Sequence, residues 1–170
     1  MKKTISLTVV ILSLIFFFSS CTKQESIDVY EYCKRYNSQY DENKINYESF
    51  FKEDNEDSCY YSFIETNEKP MLVTIKTDSD GTVAGIALTI TKEGGSVSKE
   101  ELLNSFNIYI QMSAVFCVKD FEEMKKALVE CEIGEEDIAF EDINLSGDNG
   151  QQKFTILENS EIITMYTDRV

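Results

Sequence analysis

The chain has 170 residues, 31 acids against 16 bases, no histidine, and a formal net charge of −15. A surface this acidic repels phosphate backbones, which proteins grip through Lys and Arg, and so argues against nucleic acid as a partner. The absence of histidine excludes every Ser-His or Cys-His nucleophile pair and every zinc site built on imidazole.

At the N-terminus, Lys2 and Lys3 precede Ile5 to Phe18, an apolar run broken only by Ser6, Thr8 and Ser13. A charged start followed by an apolar stretch is the pattern of an export signal. From Thr4 to Ser20 the segment falls short of the roughly 20 apolar residues that a membrane-spanning helix needs. Two small residues, Ser19 and Ser20, then lead into Cys21. Phe18-Ser19-Ser20-Cys21 resembles the bacterial lipobox, in which a branched aliphatic residue, two small residues and the modified cysteine follow one another. Phe18 stands where leucine is usual. The resemblance covers residues 1–21 and implies a diacylglyceryl thioether on Cys21 followed by cleavage before it. Residues 1–20 would then be the signal peptide, 21–25 the lipidated cysteine with a short tether, and 26–170 a single domain.

Removal of Lys2 and Lys3 with the signal takes the formal charge from −15 to −17. Anionic headgroups repel such a body, so the acyl chains rather than a basic patch must hold it on the extracytoplasmic face of the cell membrane. Four tether residues, Thr22 to Glu25, reach at most about 14 Å, and the domain begins almost at the bilayer.

Along the domain, Ser26 can cap a helix whose apolar or aromatic positions Val29, Cys33, Tyr36 and Tyr40 recur at helical spacing. Tyr47 to Phe51 and Cys59 to Ile64 are aromatic-rich strand candidates around the charged turn Lys52 to Asp57. Met71 to Thr77 and Thr82 to Thr91 bracket Asp78-Ser79-Asp80-Gly81, a hairpin turn in which glycine supplies the positive φ. Ser98-Lys99-Glu100-Glu101 has the form of a capping box opening a helix to about Val118, with Leu102, Phe106, Ile110, Ala114 and Cys117 as its buried stripe and Leu103 and Met112 widening it. Asp120-Phe121-Glu122-Glu123 repeats that logic for a second helix through Cys131, with Met124, Ala127 and Leu128 inward. Ile138 to Leu145, Gln151 to Leu157 and Glu161 to Asp168 read as closing strands around turns at Gly147 to Gly150 and Asn159-Ser160. Local hairpins outnumber helix crossovers, which predicts an α+β fold: a mostly antiparallel sheet with an N-terminal helix and a central helical pair on one face.

With Cys21 carrying lipid, Cys33, Cys59, Cys117 and Cys131 remain, an even number that permits two disulfides outside the cytosol. Cys33, Cys117 and Cys131 fall on apolar helix faces, which equally suits buried free thiols. A Cys117–Cys131 bridge is disfavoured. In a tight helical hairpin the two lie roughly 15 Å apart at 1.5 Å per residue, beyond the ~7 Å that a disulfide tolerates between Cα atoms.

No motif for catalysis, metal or cofactor emerges. Gly94-Gly95 is followed by Ser-Val-Ser rather than by the Gly-Lys-Ser or Gly-Lys-Thr that would cradle phosphates. Glu53, Asp54, Glu56, Asp57, Glu135, Glu136, Asp137, Glu141 and Asp142 supply carboxylates, but runs of adjacent acids are solvated, whereas a hydrolytic pair needs one carboxyl buried enough to stay protonated. Calcium wants six to eight oxygens; Asp54-Asn55-Glu56-Asp57 lacks the glycine and distal glutamate of an EF-hand loop, and Asp78 to Gly81 reads better as a turn. Tyrosine is gathered near the tether; its amphipathic character suits half-buried sheet and helix packing first, and its contact area with a polar tip suits a recognition surface second. The sequence therefore suggests a membrane-anchored, noncatalytic binding module of the cell envelope, with a protein, peptide or cell-wall ligand of basic or neutral character. Its candidate contact surface is Tyr30, Tyr36, Tyr40 and Tyr60. The alternative is a carboxylate-dependent surface hydrolase or a calcium-dependent binding protein.

Overall fold

A computed structural model describes residues 26–52, 58–66, 69–92, 94, 96–134 and 144–170. Helix α1 spans Val29–Gln39, α2 Lys99–Cys117 and α3 Phe121–Glu130, with one 3-10 turn at Tyr47–Ser49. The strands are β1 Cys59–Ile64, β2 Met71–Thr77, β3 Val83–Thr91, β4 Asn144–Asp148, β5 Gln152–Glu158 and β6 Ile162–Arg169. They form one six-stranded sheet, ordered β1-β2-β3-β6-β5-β4, with every neighbouring pair antiparallel. The helices pack on this sheet, so the fold is the α+β class expected from the sequence.

That strand order has an internal symmetry. Two meanders, β1-β2-β3 and β4-β5-β6, run inward from opposite edges, each preceded in the chain by helix, and meet where β3 pairs with β6 from Gly85↔Asp168 to Thr91↔Ile162. The same topology thus occurs twice without a matching sequence repeat.

Side chains alternate across the sheet. One face carries the row Tyr60, Ile75, Ile86, Thr167, Phe154 across five strands, and the row Ser62, Val73, Leu88, Met165, Ile156 beside it. The helices lie on this face. Tyr109 on α2 donates its hydroxyl to the Tyr166 carbonyl at 2.6 Å and accepts from Thr167 Oγ1 at 2.9 Å, while Ser113 Oγ lies 2.7 Å from Thr167 Oγ1. Tyr32 joins α1 to α2 by donating to the Met112 carbonyl at 3.0 Å. Because α2 lies among the sheet, α1 and α3, its burial takes in Met112 as expected, extends further to Ile108, Tyr109, Val115 and Phe116, and leaves Leu103 only half-buried. These residues and their sheet partners make one core running from Ile27 to Met165.

Local chemistry accounts for the element boundaries. Gly81 takes φ +84° in the β2–β3 turn, where its N–H donates to the Asp78 carbonyl at 3.0 Å and the Asp80 carboxylate accepts from Thr82 N at 2.9 Å. Hydrogen bonds from the Thr82 backbone and side chain hold the Asp80 carboxyl below the usual range and engage it as a turn residue. The capping box at Asp120 and Glu123 is complete. At Ser98 only half of it forms: the hydroxyl accepts from Glu101 N at 3.1 Å, while the Glu101 carboxylate meets Lys69 Nζ at 3.3 Å.

Three expectations are corrected. The cap of α1 is Asp28, whose carboxylate accepts from Glu31 N at 2.8 Å; Ser26 instead places its hydroxyl 2.6 Å from Thr82 Oγ1. Tyr47 to Phe51 is not a strand but a 3-10 turn followed by an isolated bridge from Phe51 to Tyr61. The reason is local competition, because the Asn46 side chain accepts from Glu48 N at 3.1 Å and Ser49 Oγ bonds back to the Asn46 carbonyl at 2.9 Å. Gly147 lies inside β4, and the turn sits at Asn149 and Gly150, where Asn149 Oδ1 accepts from Gln151 N and Gln152 N. The signal segment, the lipobox, the tether, most of Ile138 to Leu145 and all nine acids singled out above fall outside the described residues.

Candidate functional site

Opposite the helices, the sheet presents the rows Tyr61, Thr74, Ala87, Tyr166, Thr155, Ser146 and Phe63, Leu72, Thr89, Thr164, Leu157. No described helix packs on this side. Its centre is low, with small residues at Gly85 and Ala87, and a hollow of about 220 Å³ lies over them between Tyr166, Lys76 and Asp168. At the β1 edge the relief rises. Phe51 stacks on Tyr61 with ring centres 5.5 Å apart and lies 6.5 Å from Phe63, and Phe51 and Phe63 are 46% and 43% exposed.

Beside Phe63 the chain between α1 and β1 forms a cleft of about 690 Å³. Two asparagines build its wall. Asn37, on α1, donates to the Ile45 carbonyl and accepts from Ile45 N, both at 2.8 Å, which clamps the loop to the helix while Ile45 itself is buried. Asn46 then starts the 3-10 turn, and its carbonyl accepts from Ser62 Oγ at 2.8 Å, tying the turn to β1. Held this way, the turn projects Tyr47 and Glu48 outward. Tyr47 meets Tyr30 edge-on at 5.2 Å, so Tyr30, Tyr47, Phe63, Phe51 and Tyr61 form an aromatic rim from α1 to the uncovered sheet face.

Among the described residues the cleft is lined by four acids, Asp41, Glu42, Glu48 and Glu65, against one base, Lys44. Lys44 Nζ lies 3.2 Å from Asp41 Oδ1. Glu42, Glu48 and Glu65 are solvent-facing and form no ion pair among the described residues.

The four tyrosines expected as a contact surface do not share one exposed surface. Tyr30 is 56% exposed and joins the rim. Tyr36 is a core residue: it is fully buried, with its hydroxyl 3.4 Å from Gln111 Oε1 and its ring 5.2 Å from Tyr40. Tyr40 is half-buried against the core. Tyr60 points to the helix side of β1, half-buried, 6.2 Å from Phe50 and with Lys52 Nζ 4.3 Å over its ring. The helical spacing that groups Tyr36 and Tyr40 is also the spacing of the face α1 buries, and a tyrosine suits either side. Tyr47, Phe51 and Phe63 take the exposed role. Strand parity carries a signal for Phe63, which alternates with Ser62 and Ile64, but parity alone leaves open which side the helices cover.

Cys33, Cys117 and Cys131 are not activated as nucleophiles. Cys33, Cys59, Cys117 and Cys131 are all free thiols. Burial, aided by the charge of Asp28, pushes the Cys33 thiol up to about 12, and burial raises Cys117 to about 12 as well. Cys131 is raised too, first by burial and then by Asp148 and Glu130. The described residues hold no group of three or more His, Cys, Asp or Glu placed to bind a metal ion, and no described helix is long and apolar enough to cross a membrane. No known family model, curated protein or solved structure matches the chain.

Proposed function

We propose that the chain is a noncatalytic binding module, anchored by lipid on Cys21 at the outer side of a cell membrane, that engages a protein or peptide partner through the cleft and its aromatic rim. The observation that carries the binding role is the line of exposed rings at Tyr30, Tyr47, Phe51 and Phe63, which the fold leaves in water beside a cleft of about 690 Å³. Aromatic side chains dominate interface energetics when they enter a partner's pockets. The location rests on the lipobox resemblance. Hydrolysis by the cleft acids is disfavoured, because a working pair needs one carboxyl kept protonated by burial and all four face solvent.

Capture of partners from the producing cell's envelope on the full chain tests this reading. Alanine at Tyr47, Phe51 and Phe63 should each weaken the captured complex by about 2 kcal/mol, or roughly thirtyfold, if these rings are anchors. Undiminished capture by all three variants would reject the surface. Turnover of a wall glycan or peptide by the purified chain would reject the noncatalytic role.

A further inference from the structure

Resting on that reading, we infer that the cleft takes a cationic segment of the partner, an extended stretch whose Lys or Arg side chains enter between the 3-10 turn and the end of β1. Charge is the first reason. Among the described residues Lys44 is the lone lining base and already faces Asp41 at 3.2 Å, which leaves Glu42, Glu48 and Glu65 there without a counter-charge. A cationic side chain entering here gains three carboxylate neighbours, and the strongly negative net charge, −15 for the full chain, steers it in from a distance whether or not the signal is removed.

The rim supplies the second reason. Tyr47 and Phe63 line the cleft and are 38% and 43% exposed. Their ring faces suit a guanidinium or ammonium, and the methylene stem of a long basic side chain covers apolar surface while its head stays with the acids. An anionic segment finds neither partner there, and an aliphatic one leaves the carboxylates unpaired.

Access defines the mode of recognition. The outer edge of β1 is already met by the chain's own residues, through the bridges Ile45↔Ile64 and Phe51↔Tyr61, so an incoming segment cannot extend the sheet at these positions. It must be read by its side chains. A volume of about 690 Å³ holds a few long side chains rather than a folded element.

The test uses the full chain in detergent and fluorescein-labelled nonamers of alternating Arg and Gly, or Glu and Gly, with anisotropy as the readout. The arginine peptide should bind and the glutamate peptide should not. A Glu48→Gln/Glu65→Gln variant should weaken arginine-peptide binding at least about tenfold. Phe63→Ser, which leaves the charge unchanged, should weaken it about fivefold through the lost cation–ring contact. A Glu122→Gln/Glu130→Gln variant, altered at exposed positions of α3, should change it less than about twofold. Equal loss in the α3 and cleft variants would reduce the effect to diffuse net charge and overturn the assignment. So would displacement of the peptide by stoichiometric calcium that itself requires Glu48 and Glu65, since the cleft would then be a cation site. If Phe51 and Phe63 still govern envelope capture while the peptide ignores Glu48 and Glu65, the cationic occupant is rejected and the binding module stands. Loss of both results rejects both.

Discussion

Cys33 and Cys117 show how burial sets the chemistry of a single residue. Both thiols are pushed up to about 12 from an ordinary value of 9.0. The folded chain therefore keeps two protons that the unfolded chain releases above pH 9. Their contribution to stability is fully present below pH 9 and is lost as pH rises from 9 towards 12. The loss is at most about 1.4 kcal/mol per pH unit for each thiol. Urea midpoints should stay level from neutral pH to about 9 and then fall, with a shallower fall in Cys33→Ala and Cys117→Ala than in wild type. Alkylation of the native chain should reach half-exposed Cys59 while Cys33 and Cys117 react only on unfolding; rapid native labelling of all four would contradict the packing around α2. At this scale the sequence placed Cys33 and Cys117 on buried helix faces. It offered Tyr36 both as part of the α1 stripe and as a contact residue, because the same spacing serves either, and burial decides for the stripe.

Elements are held to one another at points that differ in how much they can yield. Gly147 in β4 faces the C-terminal end of α3, and a methyl group there would strike the Cys131 carbonyl oxygen and lie 2.8 Å from Cys131 Cβ. Those atoms belong to the helix cap and move only if α3 moves. Gly147→Ala should cost about 1–3 kcal/mol, as overpacking does. Gly85→Ala should cost distinctly less, since its closest obstacle is the Asp168 side-chain carboxylate, which can rotate away. Chemical denaturation of both variants checks the order, and equal costs would contradict a rigid β4–α3 contact. The β2–β3 hairpin and the α3 start were legible because Asp78 to Gly81 and Asp120 to Glu123 act over three or four residues. Tyr47 to Phe51 was not, because Asn46 and Ser49 divert a β-prone segment into a turn.

For the whole molecule, the lipid reading makes a nearly all-or-none prediction. Wild-type protein should partition into the detergent phase and Cys21→Ser should not, since two acyl chains anchor stably where one is marginal. A variant still held in the membrane by an intact signal segment would reject the lipobox reading. Charge and composition act at the same scale, and both are sums over residues, so the acidic character and the missing histidine needed no fold to be read.

Short-range rules likewise made the α+β class, the β2–β3 hairpin and the central helical pair accessible from sequence. Only tertiary structure decided that β3 pairs with β6, because that contact joins residues as far apart as Gly85 and Asp168, and no local signal specifies a partner at such a distance. It also decided which side of each strand the helices cover. Period-two alternation divides Tyr60 and Ile64 from Tyr61 and Phe63, yet it does not say which set is inside. The docking of α2 over Thr167 breaks that tie, leaving Phe63 in water beside Glu48 and Glu65. The cleft exists because Asn37 folds a loop back on α1 and Asn46 turns it beside β1, contacts that arise only once helix and strand share one core.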